Sequence, residues 1–423
     1  MNLNTPKYTD KLFTEGAKLL TQWQSGNEAA SLKLKTIFDD VIEGEYDSLF
    51  REHVSTDVVN IRTSLHMTTL TLLNQLYSIN SNDFYKGDPK RCVRTTLMTQ
   101  LLLGIRKLTL HWPVYAFGAE SLGQSTTYPD RYAPSVAVGN PLINKLNWEN
   151  IKPPNMNNDI IRIIDEMMSF FTDLTNEVPI VHLPAPYSLV ADIYGQEKLI
   201  MALMEDPQFV EKLLDHVTRQ VFVPWCNHFV KKFPDLQIEF SDASGSPNFI
   251  GPDLFKNVAA LPVLYLINNY PWGNRIFVAN YRGDAYPKTN NNYINNNDII
   301  PDLLADIIDF KLSVCPEFVI KLEADKEPLS FYIQQAIKRN KPLHLGIGAI
   351  QIDRNNNLNQ EDAKKQLITL VKSYTTAIKN VSKQINLNKT KDEHTEYGDI
   401  YIEDINAESD FTLVNTIVES VLL

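Results

Sequence analysis

Residues 236–255, LQIEFSDASGSPNFIGPDLF, are the stretch from which the fold is read. Ile238, Glu239 and Phe240 form a short, mainly apolar run of buried-strand length. It stops abruptly in Ser241-Asp242-Ala243-Ser244-Gly245-Ser246-Pro247, residues of loop chemistry. Gly251-Pro252-Asp253 then opens a helix. Pro252 suits a first turn, and Asp253 suits the positive end of the helix dipole. The segment is therefore a strand, a polar loop and a helix. In α/β folds the carboxyl ends of such strands are where ligands bind.

The same rhythm extends in both directions. Upstream, residues 107–117 (KLTLHWPVYAF) read as a strand with Pro113 at its exit. Residues 179–183 (PIVHL) read as a strand ending in Pro184-Ala185-Pro186-Tyr187-Ser188. Downstream, residues 275–280, 317–322 and 342–348 read as strands. Helical periodicity separates them. In residues 159–174, for instance, Ile160, Ile161, Ile164, Met167, Met168 and Phe171 share one face. Strands alternating with helices from about residue 105 to 385 predict a parallel sheet. Six strands are legible, and eight would close a barrel. No GxGxxG follows the first strand and no GxxxxGK[ST] occurs, so an open nucleotide-binding sheet is disfavoured. The expected fold class is α/β, a (β/α)8 TIM-type barrel with a helical N-terminal extension. The expected boundaries are 1–82 for the extension, 83–385 for the barrel, and 386–423 for a polar tail with a short helix from Phe411. Residues 128–141 form a loop too long for a simple connection, and residues 290–297 an Asn-rich surface loop.

Composition narrows the function classes. The chain has 423 residues, 43% of them hydrophobic, and a net charge of −11, which disfavours nucleic acid because phosphate neutralisation needs a basic face. Cys92, Cys226 and Cys315 are few, odd in number and far apart, which fits a reducing compartment. The start, MNLNTPKYTDKLFTEG, has no apolar signal core, and no run approaches the ~18 apolar residues of a membrane span. A soluble, cytoplasmic protein with no membrane association is expected. His53 and His66 read as ordinary histidines.

In a barrel the residues just past each strand converge on one mouth. Collected there, the candidates are Glu120, His182, Tyr187, Ser241, Asp242, Ser244, Asn280, Tyr281, Arg282, Asp284 and His344, with Lys321 and Glu323 as a pair. Arg282 offers a planar fork matched to an anion. Asp242 is a candidate general acid/base, or a partner that orients Arg282. His182 and His344 titrate near neutrality if unperturbed. Barrel mouths carry polar networks whatever their function, so each of these also has a purely structural reading. Cys226 and His228 are two apart on a helix and face different ways, so they are no zinc pair. No GxSxG elbow is present.

The chain resembles the uroporphyrinogen decarboxylase superfamily, which also includes corrinoid- and thiol-directed methyltransferases. The resemblance runs from about residue 84 to 381. It rests on Ala119-Glu120-Ser121-Leu122-Gly123, Pro184-Ala185-Pro186-Tyr187-Ser188-Leu189, Asp206-Pro207, Gly251-Pro252-Asp253-Leu254-Phe255 and Leu345-Gly346-Ile347-Gly348. It implies an (α/β)8 barrel, a homodimer, and a site in the mouth. This sequence also departs from the pattern. The arginine-rich RQAGRY segment of the decarboxylases is absent. Their catalytic aspartate falls at Val114, and the tyrosine after the second strand falls at Asp192. The His-x-Cys zinc motif of the methyltransferases falls in residues 278–284 (VANYRGD), which hold no thiol.

The expected function is therefore a divergent, metal-independent decarboxylase acting on a carboxylate-bearing small molecule or tetrapyrrole. Asp242, His182 and His344 are its catalytic candidates. Arg282, Asn280, Tyr281, Asp284, Tyr187, Ser241, Ser244 and Glu120 are its substrate-binding candidates. No metal or cofactor is expected, and the partner is an anionic small molecule. The alternatives are methyl transfer with a corrinoid protein, and a non-catalytic barrel binding a ligand or partner.

Overall fold

The computed structural model describes residues 6–51, 58–137, 139–284, 300–354, 359–386, 397–403, 405–406 and 408–422. His53 and the Asn-rich stretch 290–297 lie outside these residues. Seven parallel strands are described: β1 (Ile61–Thr63), β2 (Ile180–Pro184), β3 (Gln237–Ser241), β4 (Ile276–Phe277), β5 (Val319–Lys321), β6 (Leu343–Ile347) and β7 (Ile400–Ile402). They form two ladders, β2-β3-β4 and β1-β7-β6-β5.

Among the described residues the two ladders are not hydrogen-bonded into one closed ring, which corrects the expectation of a regular (β/α)8 barrel. The reason lies at the two seams. At one, residues 107–113 are not a strand, because a side chain takes the backbone groups a neighbouring strand would need. The buried Gln100 carboxamide accepts from Thr109 N–H (3.0 Å) and donates to Thr109 C=O (2.7 Å). Only the Thr109 hydroxyl reaches β1, donating to Thr63 O (3.1 Å). The predicted strand over 107–117 then continues as a helix, Val114–Glu120. At the other seam β4 is two residues long rather than six. Val278 N–H donates to Val314 O (2.9 Å) at the end of the helix Ile300–Val314, so it is lost to the sheet.

The ladders still enclose one interior. Alternate strand residues share a face, and Arg62, His182, Glu239, Ile320, His344 and Tyr401 all line a single cavity. His182 and Glu239 are direct neighbours across β2 and β3.

Sheet residues also come from the flanking segments. β1 lies within the span read as a helical extension and β7 within the span read as a polar tail, where it pairs with both β1 and β6. Helices cover the outside. Asp159–Thr175 starts where the Asn158 side chain accepts from Ile161 N–H (2.9 Å), and it buries the apolar stripe legible in the sequence. The helix Pro89–Leu102 is capped by Asp88, which accepts from Lys90 N–H (2.9 Å) and Arg91 N–H (3.2 Å). The helix Gln360–Asn386 packs against the last helix, Phe411–Leu422. Within residues 128–141 lies one strand, Ser135–Val136, of a two-stranded antiparallel ribbon with Thr126–Thr127.

Candidate functional site

The carboxyl end of β3 delivers Asp242 into a fully buried position. Its Oδ1 accepts from the Ser188 hydroxyl (2.7 Å) and from Gly245 N–H (2.9 Å). Its own N–H donates to Asn280 Oδ1 (2.9 Å), which joins the loops after β3 and β4. Residue 245 must be glycine because a Cβ there would stand 2.5 Å from Asp242 Oδ2. The Asp242 carboxyl and the Tyr281 phenol are buried against each other, and the Tyr187 hydroxyl is buried without a hydrogen-bond partner. These three polar groups converge electrostatically: the Asp242 charge, after burial itself, raises the titration of both phenols.

Burial pushes Asp242 up to about 6, against the bonds from Ser188, Gly245 and Tyr281 that favour its ionised form. Burial likewise pushes Asp192 up to about 7, and Asp192 Oδ2 also lacks a partner. Tyr115 joins the two carboxylates. Its hydroxyl accepts from Ala243 N–H (3.0 Å), and its titration is raised first by burial and then by Asp242, with Asp192 as a weaker contributor. Ser244 completes the loop, donating its N–H to Ser188 Oγ (3.1 Å) and its hydroxyl to Gln196 Oε1 (2.9 Å). Raised carboxyl values beside buried hydroxyls are what a proton-donating site needs.

The neighbouring loop is tied down by acids. Arg282 Nε lies 3.0 Å from Glu403 Oε2, and Glu403 Oε1 accepts from Glu323 N–H (2.6 Å). Asp284 is buried and turned away from any mouth. It accepts from Lys326 N–H (2.7 Å), Glu327 N–H (3.0 Å) and the Tyr332 hydroxyl (2.6 Å), so its role is to join two loops. Asp325 does the same for Gly283 N–H (2.7 Å). Asn248 N–H donates to Arg282 O (2.8 Å), which fixes the two loops to each other.

Three candidates fall elsewhere. Glu120 ends the helix Val114–Glu120, pairs with Lys86 and accepts from Thr126 (2.6 Å) and Tyr128, so it anchors the ribbon. His182 and His344 point into the interior at strand level rather than at the carboxyl ends. Strand alternation decides this: each lies inside its strand, not past it. His182 Nδ1 is 3.4 Å from Glu239 Oε2 and its ring lies 4.4 Å from that of His111. Burial lowers His182 well below the usual histidine value, and His344 to about 4. Ser241 closes β3 through its carbonyl, which accepts from Ala185 N–H (2.7 Å).

Residues 85–283 match the uroporphyrinogen decarboxylase (URO-D) family model. That stretch, a little under half of the chain, is similar to the uroporphyrinogen decarboxylase family. A solved structure, a methyltransferase from Methanosarcina mazei, is similar with a TM-score of 0.59 at 12% identity, covering 90% of this chain and 98% of that one. That likeness concerns the fold. No curated protein sequence matches the chain.

The departures from that family's pattern at Val114 and Asp192 take on a location. Val114 opens the helix Val114–Glu120, next to Tyr115, which contacts the Asp242 loop. The stretch 278–284 places Asn280 on Asp242 and Arg282 on Glu403, and all three cysteines are buried singly elsewhere. That donor set does not fit a thiolate-bound zinc. Burial pushes the Cys92 thiol up to about 12, which keeps it neutral. Among the described residues no helix is long and apolar enough to cross a membrane, and no three His, Cys, Asp or Glu side chains gather as a metal site.

The sequence reading missed Ser188 as Asp242's partner, along with Asp192, Tyr115 and Glu403 as contributors. Ser188 and Asp192 share one face of the helix Pro186–Tyr194, four residues apart. That spacing was the available signal.

Proposed function

We propose that the chain is a divergent decarboxylase of this superfamily, acting at the carboxyl ends of β2, β3 and β4 on a carboxylate-bearing small molecule. The observation that carries the proposal is the state of Asp242. It is buried, its value is raised to about 6, one oxygen is held by Ser188 and Gly245, and the carboxyl lies against the Tyr281 phenol with the Tyr187 phenol nearby. The substrate's carbon–carboxylate bond breaks, carbon dioxide leaves, and the bonding pair stays on carbon. Protonated Asp242 gives its proton to that carbon and becomes a carboxylate, which the Ser188 hydroxyl and Gly245 N–H stabilise. Solvent returns the proton. The hydroxyls of Tyr187 and Tyr281 and the Asn280 amide orient the substrate. Arg282 holds its anionic group, with Glu403 fixing the guanidinium edge.

The second reading is methyl transfer, supported by the likeness to the Methanosarcina mazei methyltransferase over most of both chains. There a corrinoid on a partner protein would supply the methyl group, and Asp242 and Asp192 would handle the acceptor's proton.

The test is turnover in deuterium oxide with a panel of carboxylates that includes uroporphyrinogen. Decarboxylation releases carbon dioxide and leaves one deuterium on the product carbon, and Asp242→Asn abolishes both. Arg282→Ala raises KM. Release of no carbon dioxide from any panel member, with methylated corrinoid consumed instead, would favour the second reading. An unchanged KM in Arg282→Ala would remove Arg282 from the site.

A further inference from the structure

The space between the two ladders holds a cavity of about 340 Å³ that opens toward the amino-terminal ends of the strands; Asp242 does not line it, and Asn280, whose side chain accepts from Asp242 N–H, stands at its far end. Its rim is made by Asn60, Arg106, Lys107, Glu177, Val178 and Gln237. Val178 is half-exposed, so the rim reaches solvent. Parallel barrels of this size fill their interior with layers of branched apolar side chains. Here Arg62, His182, Glu239, His344 and Tyr401 stand inward beside the apolar Ile320 and Phe277, which leaves room and polarity where a packed core is expected. The volume falls in the range that takes small ligands, roughly 300–1,000 Å³.

The walls state what would fit. Flat rings face the cavity in contacting pairs: His111 with His182 at 4.4 Å, and Phe318 with His344 at 4.1 Å. Burial lowers His111 and His344 to about 4, so these imidazoles are neutral rings at pH 7. Burial pushes Glu239 up to about 7, against Arg62, which weakens its negative charge. Two cations, Arg62 and Lys107, share one carboxylate, Asp399, at 2.7 and 3.0 Å. Arg62 and Lys107 thus have one carboxylate between them at the cavity's polar end, with Arg106 and Glu177 on the rim beside them.

We propose that this cavity is a second ligand site, for a small aromatic monocarboxylate, entered from the amino-terminal face of the strands. The ring lies among Phe277, Phe318 and the imidazoles, and the carboxylate meets Arg62 and Lys107. Planar rings stack favourably on such walls. A carboxylate would accept from the Arg62 and Lys107 donors that share the one Asp399 carboxylate.

The experiment is calorimetric titration of the full chain with 2-naphthoate, with naphthalene-2-carboxamide as the uncharged control. One site per chain is expected. The control and Lys107→Gln should bind about tenfold more weakly, the loss of one charge-assisted bond. Ile320→Trp, which fills the cavity from β5 without touching the ion pairs, should abolish binding, and Asp242→Asn should bind as the wild type does. Circular dichroism checks that each variant is folded, and Ile320→Trp decides the matter if Lys107→Gln is not. No binding at millimolar naphthoate, equal binding of the carboxamide, or undiminished binding by Ile320→Trp would overturn the proposal. So would loss on Asp242→Asn, which would put the probe at the other end of the strands.

Discussion

At the residue scale, Asp242 is a carboxyl group whose ionisation burial delays to about pH 6 while its surroundings are ready to receive the charge. Its ordinary value is 3.8 and its value in the fold is about 6. A group raised in this way contributes stability that is fully present below its unfolded value and is lost as pH rises through the folded value. A shift of about two units corresponds to about 3 kcal/mol. Asp242→Asn keeps an oxygen for Ser188 and Gly245 but cannot ionise. Its unfolding free energy relative to the wild type should therefore improve between pH 4 and pH 7.5, by up to about 3 kcal/mol. Denaturant unfolding across that range measures it. A constant difference at all pH values would mean that Asp242 is ionised throughout. Arg282 shows the opposite arrangement, a charge met by a carboxylate, Glu403, that arrives from 121 residues away.

At the element scale, the seams of the sheet explain why the chain departs from the regular barrel its periodicity predicts. Residues 107–117 have the apolar content of a strand, but Gln100, on a helix nine residues earlier, satisfies Thr109 in place of a neighbouring strand. Gln100→Ala should leave the partly buried N–H and C=O of Thr109 unpaired and cost about 1–3 kcal/mol in thermal or denaturant unfolding. A cost below about 0.5 kcal/mol would show that the seam is held by something else. β2, β3 and β6 were legible because each is a compact run, apolar for most of its length, bounded by Pro, Gly or polar loop residues. β1 and β7 were not. Three-residue strands inside polar stretches carry too little alternation to register, and β7 is paired only because Gly398 onward is brought between β1 and β6. The same limit applied to the site. Asp242, Asn280 and Tyr281 could be placed because each follows a legible strand. Glu403 follows an illegible one, and His182 and His344 were put at the ends of strands that in fact hold them inside.

At the scale of the whole molecule, the interior is a set of neutral titratable groups, and this sets the acid limit of the fold. Burial lowers His66 to about 3 and both His111 and His344 to about 4. Groups lowered in this way contribute stability that is fully present above the unfolded value near 6.5 and is lost as pH falls through the folded value. Stability should decline from about pH 6.5 and collapse toward pH 4, at about 3 kcal/mol for each histidine. Replacing His344 by Phe, against the neighbouring Phe318 ring, should shift that decline to lower pH. A thermal midpoint flat from pH 7 to pH 4.5 would contradict the neutral interior. Such an interior suits a molecule with polar chemistry at both ends of its strands rather than a solid apolar core.

The most direct measurement is a carbon-13 titration of aspartate carboxyls in the selectively labelled chain, compared with Asp242→Asn. The account predicts one carboxyl resonance that titrates near pH 6 in the wild type and is missing from the variant. If the resonance lost in Asp242→Asn instead titrates below pH 4, Asp242 is a permanent carboxylate. It could not then supply the proton, and the decarboxylase reading would fall.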